Sequence, residues 1–445
     1  MGLGALAPAA TGPRRTLTGL GARLLPHALL AAALCAPALL RAQPAASAPP
    51  LPPPAAEARA AAAKQDTSPL SAHVSFTQFV QGPVAGGVES DVSYGGRIDV
   101  EGRVDTRLLG LWRGGALVAK LATRYGESAS PDAGGLSPVN TALIDPASSG
   151  TATGLITLAY EQVLPLGKKP GNLLVLGIGK FSTVDLAAEV FMGGSGIRRF
   201  MNVSQIAPPT EARNVPSVTD GVSMAVELGG EPVFSFGVFD PIPSQRTSGL
   251  GDLFGEGVTL VPGVIAPTRF FGRPGHQELR GTWSSRELTP FDEIPRLILP
   301  RPGDTTGVER VSGSWSVTWS ADQFVFVSPG PPRTGWGVFW QVGFADARTN
   351  PITRVVTAGV GGTGAFGSRK ADEWGVGYTW TGLSGDFKAL LDPLVALGDE
   401  HQVEAFYNLA VAPWIRLTAD LQVIWPARPG VDTAVLPGAR LQLLF

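Results

Sequence analysis

Cysteine occurs once in these 445 residues, at Cys35 near the start. The remainder of the chain therefore offers no disulfide, no thiolate nucleophile and no cysteine-based metal site. Histidine is almost as scarce: of four, His27 lies in the same leading stretch, and His73, His276 and His401 are widely separated without metal-ligand spacing. Charge is thin as well, at 16% of residues against about 25% in ordinary soluble domains, with no basic block suited to nucleic acid. Past the leading segment no apolar run approaches the ~18 residues a spanning helix needs; the longest, around Leu173 to Ile178, is strand-sized. An inner-membrane helical bundle, a disulfide scaffold and a nucleic-acid binder are excluded as readings. No nucleophile-elbow pattern supports a serine hydrolase. Gly359, Gly361 and Gly364 match the spacing of a dinucleotide loop, but no helix-forming sequence follows them, so a glycine-rich strand end is the reading.

What the chain does contain is turn-formers and grease: 57 Gly, 39 Pro and 44% hydrophobic residues. Residues 1–42 read as a secretory signal of the Sec type. Arg14, Arg15 and Arg23 form its basic region, Leu24 to Leu40 its mostly apolar stretch, and cleavage is placed near Ala42. Leu34 is too bulky to precede a lipidated cysteine, so Cys35 is expected to leave with the signal. Loss of its four Arg and no acid would leave 31 basic against 37 acidic residues, a net charge near −6. Residues 43–69, rich in Ala and Pro, read as a periplasmic lead-in, disordered or partly helical.

From residue 70 to 445 the texture is short alternating runs punctuated by Gly, Pro, Asn and Asp. Trp315, Val317 and Trp319 alternate with Ser314, Ser316, Thr318 and Ser320. Trp336, Val338, Trp340, Val342 and Phe344 oppose Gly337, Gln341 and Gly343, and Ile415, Leu417, Leu421, Val423 and Trp425 oppose Arg416, Thr418, Asp420 and Gln422. The alternation persists to the last residue, where Val435, Pro437, Ala439, Leu441, Leu443 and Phe445 share one face. A soluble sandwich also alternates. Against it, eight of the ten Trp fall between Trp315 and Trp425, more large rings than a layer about 10 Å thick houses comfortably, and a terminal strand this amphipathic suits a ring in which the last strand must pair with the first. The fold class is therefore all-β: a transmembrane antiparallel barrel. At roughly 20 to 25 residues per strand and connection it would have about 16 strands, enough to leave a water-filled lumen. Asp386 to Leu397 reads as one short helix in a connection.

Two groups of residues are candidates for lining the path. Arg97, Asp99, Glu101, Arg103 and Asp105 form an inward ladder joined by Lys120 and Arg124. Mixed in sign, it would select weakly by charge, while its donors and acceptors could replace water around hydroxyl groups such as those of small sugars. The second is a polar and aromatic segment with Arg269, Phe270, Phe271, Arg273, His276, Gln277, Glu278, Arg280 and Trp283, expected as a loop folding inward to form a constriction. Two competing readings are a barrel enzyme, which requires a Ser or Asp hydrogen-bonded to His276 or His401, and a surface adhesin with a plugged lumen.

The chain resembles the OprB family of carbohydrate-selective porins over most of residues 95 to 445. The resemblance is carried by LGLWRGG (109–115), GKFSTVDLA (179–187), GEPVFSFGVFDP (230–241), TRFFGRPGHQELRGTWSS (268–285), PRLILP (295–300), WGVGYTWTGLSGDFKALL (374–391), EAFYNLAVAPWIRLTADLQVI (404–424) and the closing RLQLLF. It implies sixteen strands passing monosaccharides, often glucose, passively across the bacterial outer membrane, with charged and aromatic residues narrowing the pore and no cofactor. Outer-membrane lipid and the barrel-assembly machinery, the latter reached through the strand ending at Phe445, are the expected partners besides sugar, with a homo-oligomer as a further expectation.

Overall fold

The computed structural model describes residues 70–145, 150–186, 191–298, 307–328, 334–364 and 369–445. The signal and the lead-in lie outside the described residues. The strands are β1 (Leu70–Gln81), the three-residue β2 (Ala85–Gly87), β3 (Ser93–Asp105), β4 (Gly115–Gly126), β5 (Ala152–Pro165), β6 (Leu173–Ser182), β7 (Val218–Leu228), β8 (Glu231–Phe239) and β9 (Thr259–Phe270). They continue with β10 (Arg273–Ser284), β11 (Ser314–Val327), β12 (Gly335–Ala345), β13 (Ile352–Thr363), β14 (Glu373–Leu383), β15 (Glu400–Ala412), β16 (Ile415–Trp425) and β17 (Asp432–Leu444). Apart from β2, every strand pairs antiparallel with its neighbours in sequence, and β1 pairs with both β3 and β17, so sixteen long strands close into a ring. Closure reaches the last residue: Phe445 N–H donates to Val74 O at 2.8 Å and Val74 N–H to Phe445 O at 3.0 Å.

The period-2 alternation sets the two faces of the wall. On β11, Trp315, Val317 and Trp319 are 43%, 41% and 43% exposed while Ser314, Ser316, Thr318 and Ser320 are buried. The exposed face is therefore the apolar one, the reverse of a soluble protein and the arrangement expected of a lipid-facing wall. Trp336, Trp425 and Phe344 extend this outward apolar surface near strand ends, where indole rings suit the headgroup level.

Connections differ sharply between the two ends. At one end they are tight, as at 229–230, 271–272 and 413–414; at the other they run over 127–151, 183–217, 240–258 and 285–313. Short periplasmic turns and long extracellular loops are the pattern of outer-membrane barrels, which puts Leu70 and Phe445 at the periplasmic rim. The helix expected over Asp386 to Leu397 is shorter, Gly385–Leu391, capped by Ser384 Oγ accepting from Phe387 N at 3.3 Å.

Two long connections turn into the barrel. The 183–217 segment crosses to the far wall, where its short 3-10 turns Val203–Gln205 and Pro209–Glu211 lie against β11 to β14. Phe191, Met192, Phe200 and Ile206 pack with the inward Phe324, Phe339 and Phe406; Phe200 lies 4.8 Å from Phe406 and 5.7 Å from Phe339, both edge-on. At about 1.5–3 kcal/mol for each large side chain buried, this cluster offsets much of the entropy of ordering a long connection. The segment near 129–145 lies against β1 and β15 to β17, with Ala129, Ala133 and Val139 packed on Ile424, Ala434 and Leu436 and Leu143 and Ala142 on Phe79.

Candidate functional site

The inward polar residues of the far wall hold these connections in place. Glu400 accepts from Leu136 N at 2.5 Å and Ser137 N at 3.4 Å, and Glu404 accepts from Met201 N and, at 3.0 Å, from Asn202 N. Arg440 donates from its two terminal nitrogens to Gly196 O and Arg198 O, both at 2.7 Å. Glu373 gathers Arg198 at 2.9 Å, Arg416 at 3.4 Å and Arg199 at 3.8 Å. Burial pulls the Arg199 guanidinium down to about 10 against the opposing pull of Glu373, so it stays charged at neutral pH. Glu373, Thr357, Thr379, Glu404, Gln422 and Arg440 are all at or below 2% exposed. The wall from β12 to β17 thus faces packed protein.

The opposite wall is open. A cavity of about 280 Å³ remains beside β5 to β11. Its wall is cut back by small inward residues: Gly177, Ser223, Ala225, Ser235, Gly237 and Ser320. The cut is tight, since a Cβ on Gly263, also on this wall, would stand 2.4 Å from Ser235 Oγ and one on Gly177 2.6 Å from Ser223 Oγ. Around this space Arg103 pairs with Glu161 at 2.7 Å, and Arg280 with Glu211 at 3.1 Å and Glu278 at 3.6 Å. His276 sits between two carboxylates, Asp322 at 3.0 Å from Nδ1 and Glu231 at 3.3 Å from Nε2. Phe181, Phe239, Val261 and Ile265 supply apolar contact. Donors, acceptors and hydrophobic faces side by side suit a solute with hydroxyls on its edge and C–H groups on its faces.

The residues expected from sequence divide over these two environments. Arg97, Asp99 and Lys120 point inward but are buried beneath the connections: Arg97 binds Asp99 at 2.8 Å and Lys120 binds Asp185 of the 183–217 segment at 2.8 Å. Burial alone would raise the Asp185 carboxyl, yet Lys120 and Arg97 hold it below its ordinary range. Asp145, in the other connection, is held above its ordinary range by burial despite hydrogen bonds from Ser217 and Gln245. Arg124 donates to Leu143 O. These groups anchor connections that fold into the lumen, and Asp99 and Lys120 also border a second space. Glu101 is exposed beside Asp99 and Lys120, in this second space of about 310 Å³ near Phe445. Asp105 ends β3, accepts from Arg107 N at 2.9 Å and pairs with its guanidinium at 2.7 Å. Of the ladder, Arg103 meets the cavity beside β5 to β11 through its partner Glu161, whereas Asp99, Glu101 and Lys120 line the second space.

The expected inward loop around residues 269–283 is instead a hairpin of β9 and β10 turning at Phe271 and Gly272. Gly272 takes φ 75° and Phe271 φ 54°, the left-handed pair a two-residue turn demands. Arg269 and Arg273 are exposed at this periplasmic rim and Trp283 faces outward at 42% exposure. His276, Glu278 and Arg280 do face the cavity. Sequence reading missed Asp322, Glu161 and Glu231; Asp322 was signalled by continuation of the inward series from Ser314 to Ser320. His276 therefore does have an aspartate partner, the geometry a barrel enzyme would need. Its other nitrogen meets a second carboxylate, however, and among the described residues no hydroxyl bonds either ring nitrogen. His401 Nδ1 is hydrogen-bonded to the Tyr378 hydroxyl at 2.8 Å.

Sixteen antiparallel strands closed on themselves, an apolar exterior and a polar, loop-narrowed interior define an outer-membrane diffusion channel. The chain belongs to the OprB family of carbohydrate-selective porins, whose family model matches residues 89–445. The sequence resemblance noted above is borne out. Among solved structures it is similar to the high-pH structure of Pseudomonas putida OprB, at 18% identity and a TM-score of 0.71, covering 87% of this chain and 96% of that one. The low-pH structure of the same protein matches at 15% identity, TM-score 0.50, with 87% and 95% covered. The DcaP channel of Acinetobacter baumannii follows at 11% identity, TM-score 0.49, with 84% and 97% covered. Among curated proteins, none matches. The protein is a bacterial outer-membrane porin for sugars, and its family is one of channels rather than enzymes.

Proposed function

We propose that small neutral sugars, monosaccharides such as glucose, diffuse passively along the wall from β5 to β11, past Arg103, Glu161, Glu231, His276, Glu278, Arg280 and Asp322. The observation that carries this is the coincidence of the cavity with a cluster of charged donors and acceptors, on a wall thinned by small residues. Five carboxylates, counting Glu211, face Arg103, Arg280 and His276 there. The excess of acid disfavours anions, so sugar acids cross more slowly than the matched neutral sugars. Liposome swelling with glucose, gluconate and a salt of similar size tests the reading: glucose enters fastest. Equal rates for all three would make the barrel a general porin. Self-association, and presentation of the strand ending at Phe445 to the barrel-assembly machinery, belong to the same proposal.

A further inference from the structure

The outward positions of the strands carry almost no charge. Lys180 and Asp220 are covered by the 240–258 connection, with Lys180 Nζ donating to Ser244 O at 2.8 Å, and Arg273 stands at the periplasmic rim. Between the rims, Arg354 on β13 is the exposed Lys, Arg, Asp or Glu at an outward strand position among the described residues. It lies just inside the extracellular end, paired in register with Phe344 on β12 and Gly382 on β14, next to the irregularity between Ile352 and Arg354. Its guanidinium carbon is 5.7 Å from the centre of the Trp380 ring. Gly382 makes that contact possible: a Cβ there would stand 3.1 Å from the Trp380 ring and 3.2 Å from Arg354 Cβ. Phe344 and Trp425 lie at the same end, 51% and 42% exposed, and His401 is opposite both Trp380 and Trp425.

No carboxylate lies within ion-pair distance of Arg354 among the described residues; the nearby Asp399 is engaged by Lys388 at 2.7 Å. A guanidinium 5.7 Å over an indole at headgroup depth, with no carboxylate in direct ion-pair contact among the described residues, can present its planar fork to an anion that the bilayer supplies. We propose that Arg354, seated on Trp380, docks the phosphate of an outer-leaflet lipid headgroup. A planar fork matches phosphate with two parallel hydrogen bonds. A second copy of this chain is the poorer occupant, because among the described residues the outward strand positions between the rims offer no exposed carboxylate to meet the cation.

The test is native mass spectrometry of the detergent-extracted full-length barrel with phosphatidic acid or diacylglycerol of identical chains. The wild type retains phosphatidic acid about fivefold to tenfold better than diacylglycerol, the effect expected of one basic residue at an anionic surface. Arg354→Gln abolishes that preference and Arg354→Lys keeps part of it, with heat-modifiable migration on gels showing that each variant is folded. Equal retention of phosphatidic acid by Arg354→Gln would overturn the proposal. So would displacement of the lipid by an equal concentration of inorganic phosphate, or a loss of lipid that appears only together with dissociation of an oligomer.

Discussion

Replacing Glu373 with Ala removes the carboxylate that joins three arginines from two sources, Arg198 and Arg199 on the inward connection and Arg416 on the wall. Glu373 is 2% exposed, and Arg199 and Arg416 are 8% and 6% exposed, so no water replaces it. Leaving buried cations without their partner costs about 3–5 kcal/mol, and here the cost acts between connection and wall, because the stranded charges sit on both. What resists is local: the two Arg440 bonds to Gly196 O and Arg198 O, the two amides on Glu404, and the Phe200 ring between Phe339 and Phe406. These exceed the perturbation in sum, so the segment around 196–200 detaches transiently while the barrel stays closed. A shift of about 3 kcal/mol multiplies the detached population roughly a hundredfold. Trypsin cleavage after Arg198 or Arg199 in folded barrels, followed over time, should accelerate by that order, and single-channel records should gain brief larger openings. Glu373→Gln, which keeps shape and one acceptor, should fall between. Unchanged cleavage and conductance in Glu373→Ala would refute the view that this carboxylate latches the connection.

Glu278→Gln combined with Asp322→Asn removes two charges from the cavity wall; the ratio of glucose to gluconate entry in liposome swelling should fall by about fivefold to tenfold, the effect of about 1 kcal/mol or slightly more of screened charge. The Lys120–Asp185 pair has a sign that can be checked. Because the folded Asp185 carboxyl lies below its ordinary value, its contribution is complete above the unfolded value of 3.8 and is lost only as pH falls through the lower folded one. Asp185→Asn should therefore lower thermal stability at pH 7, with the difference shrinking as the pH falls below 3.8, measured by the temperature of heat-modifiable migration. Deleting Phe445 removes both closing hydrogen bonds to Val74 and should sharply reduce the folded barrel recovered in the outer membrane, read from heat-modifiable protein in membrane fractions.

The wall was legible because a strand has one period and two faces: Trp315 to Ser320 and Trp336 to Phe344 could be assigned by alternation alone, and the closing register follows from the final run. The filling of the lumen was not. Phe191, Met192, Phe200 and Ile206 occur at irregular spacing in a connection, and their partners Phe324, Phe339 and Phe406 are far away in sequence, so no local pattern links them. The available signal was the violation of pattern, since Phe339 interrupts the wet face between Gly337 and Gln341, and an aromatic turned toward a water-filled lumen implies something packed on it. The same reason explains the ladder. Arg97, Asp99 and Lys120 were correctly read as inward, but which inward residues meet water depends on where two connections fold back. The hairpin turning at Phe271 and Gly272 was misread because its aromatic and charged residues look like loop, although the two runs flank a two-residue turn.

The only cysteine lies at Cys35, in the segment read as the signal, which makes thiol labelling of the barrel clean. Single cysteines at Ala225 and Ser235, on the open wall, and at Thr357 and Thr379, under the packed connections, can be exposed to a charged, membrane-impermeant methanethiosulfonate while conductance is recorded. Modification and a fall in current at Ala225 and Ser235, with Thr357 and Thr379 inert, is the result a passage along β5 to β11 requires. Labelling of Thr357 and Thr379 at the same rate would mean that solutes cross elsewhere.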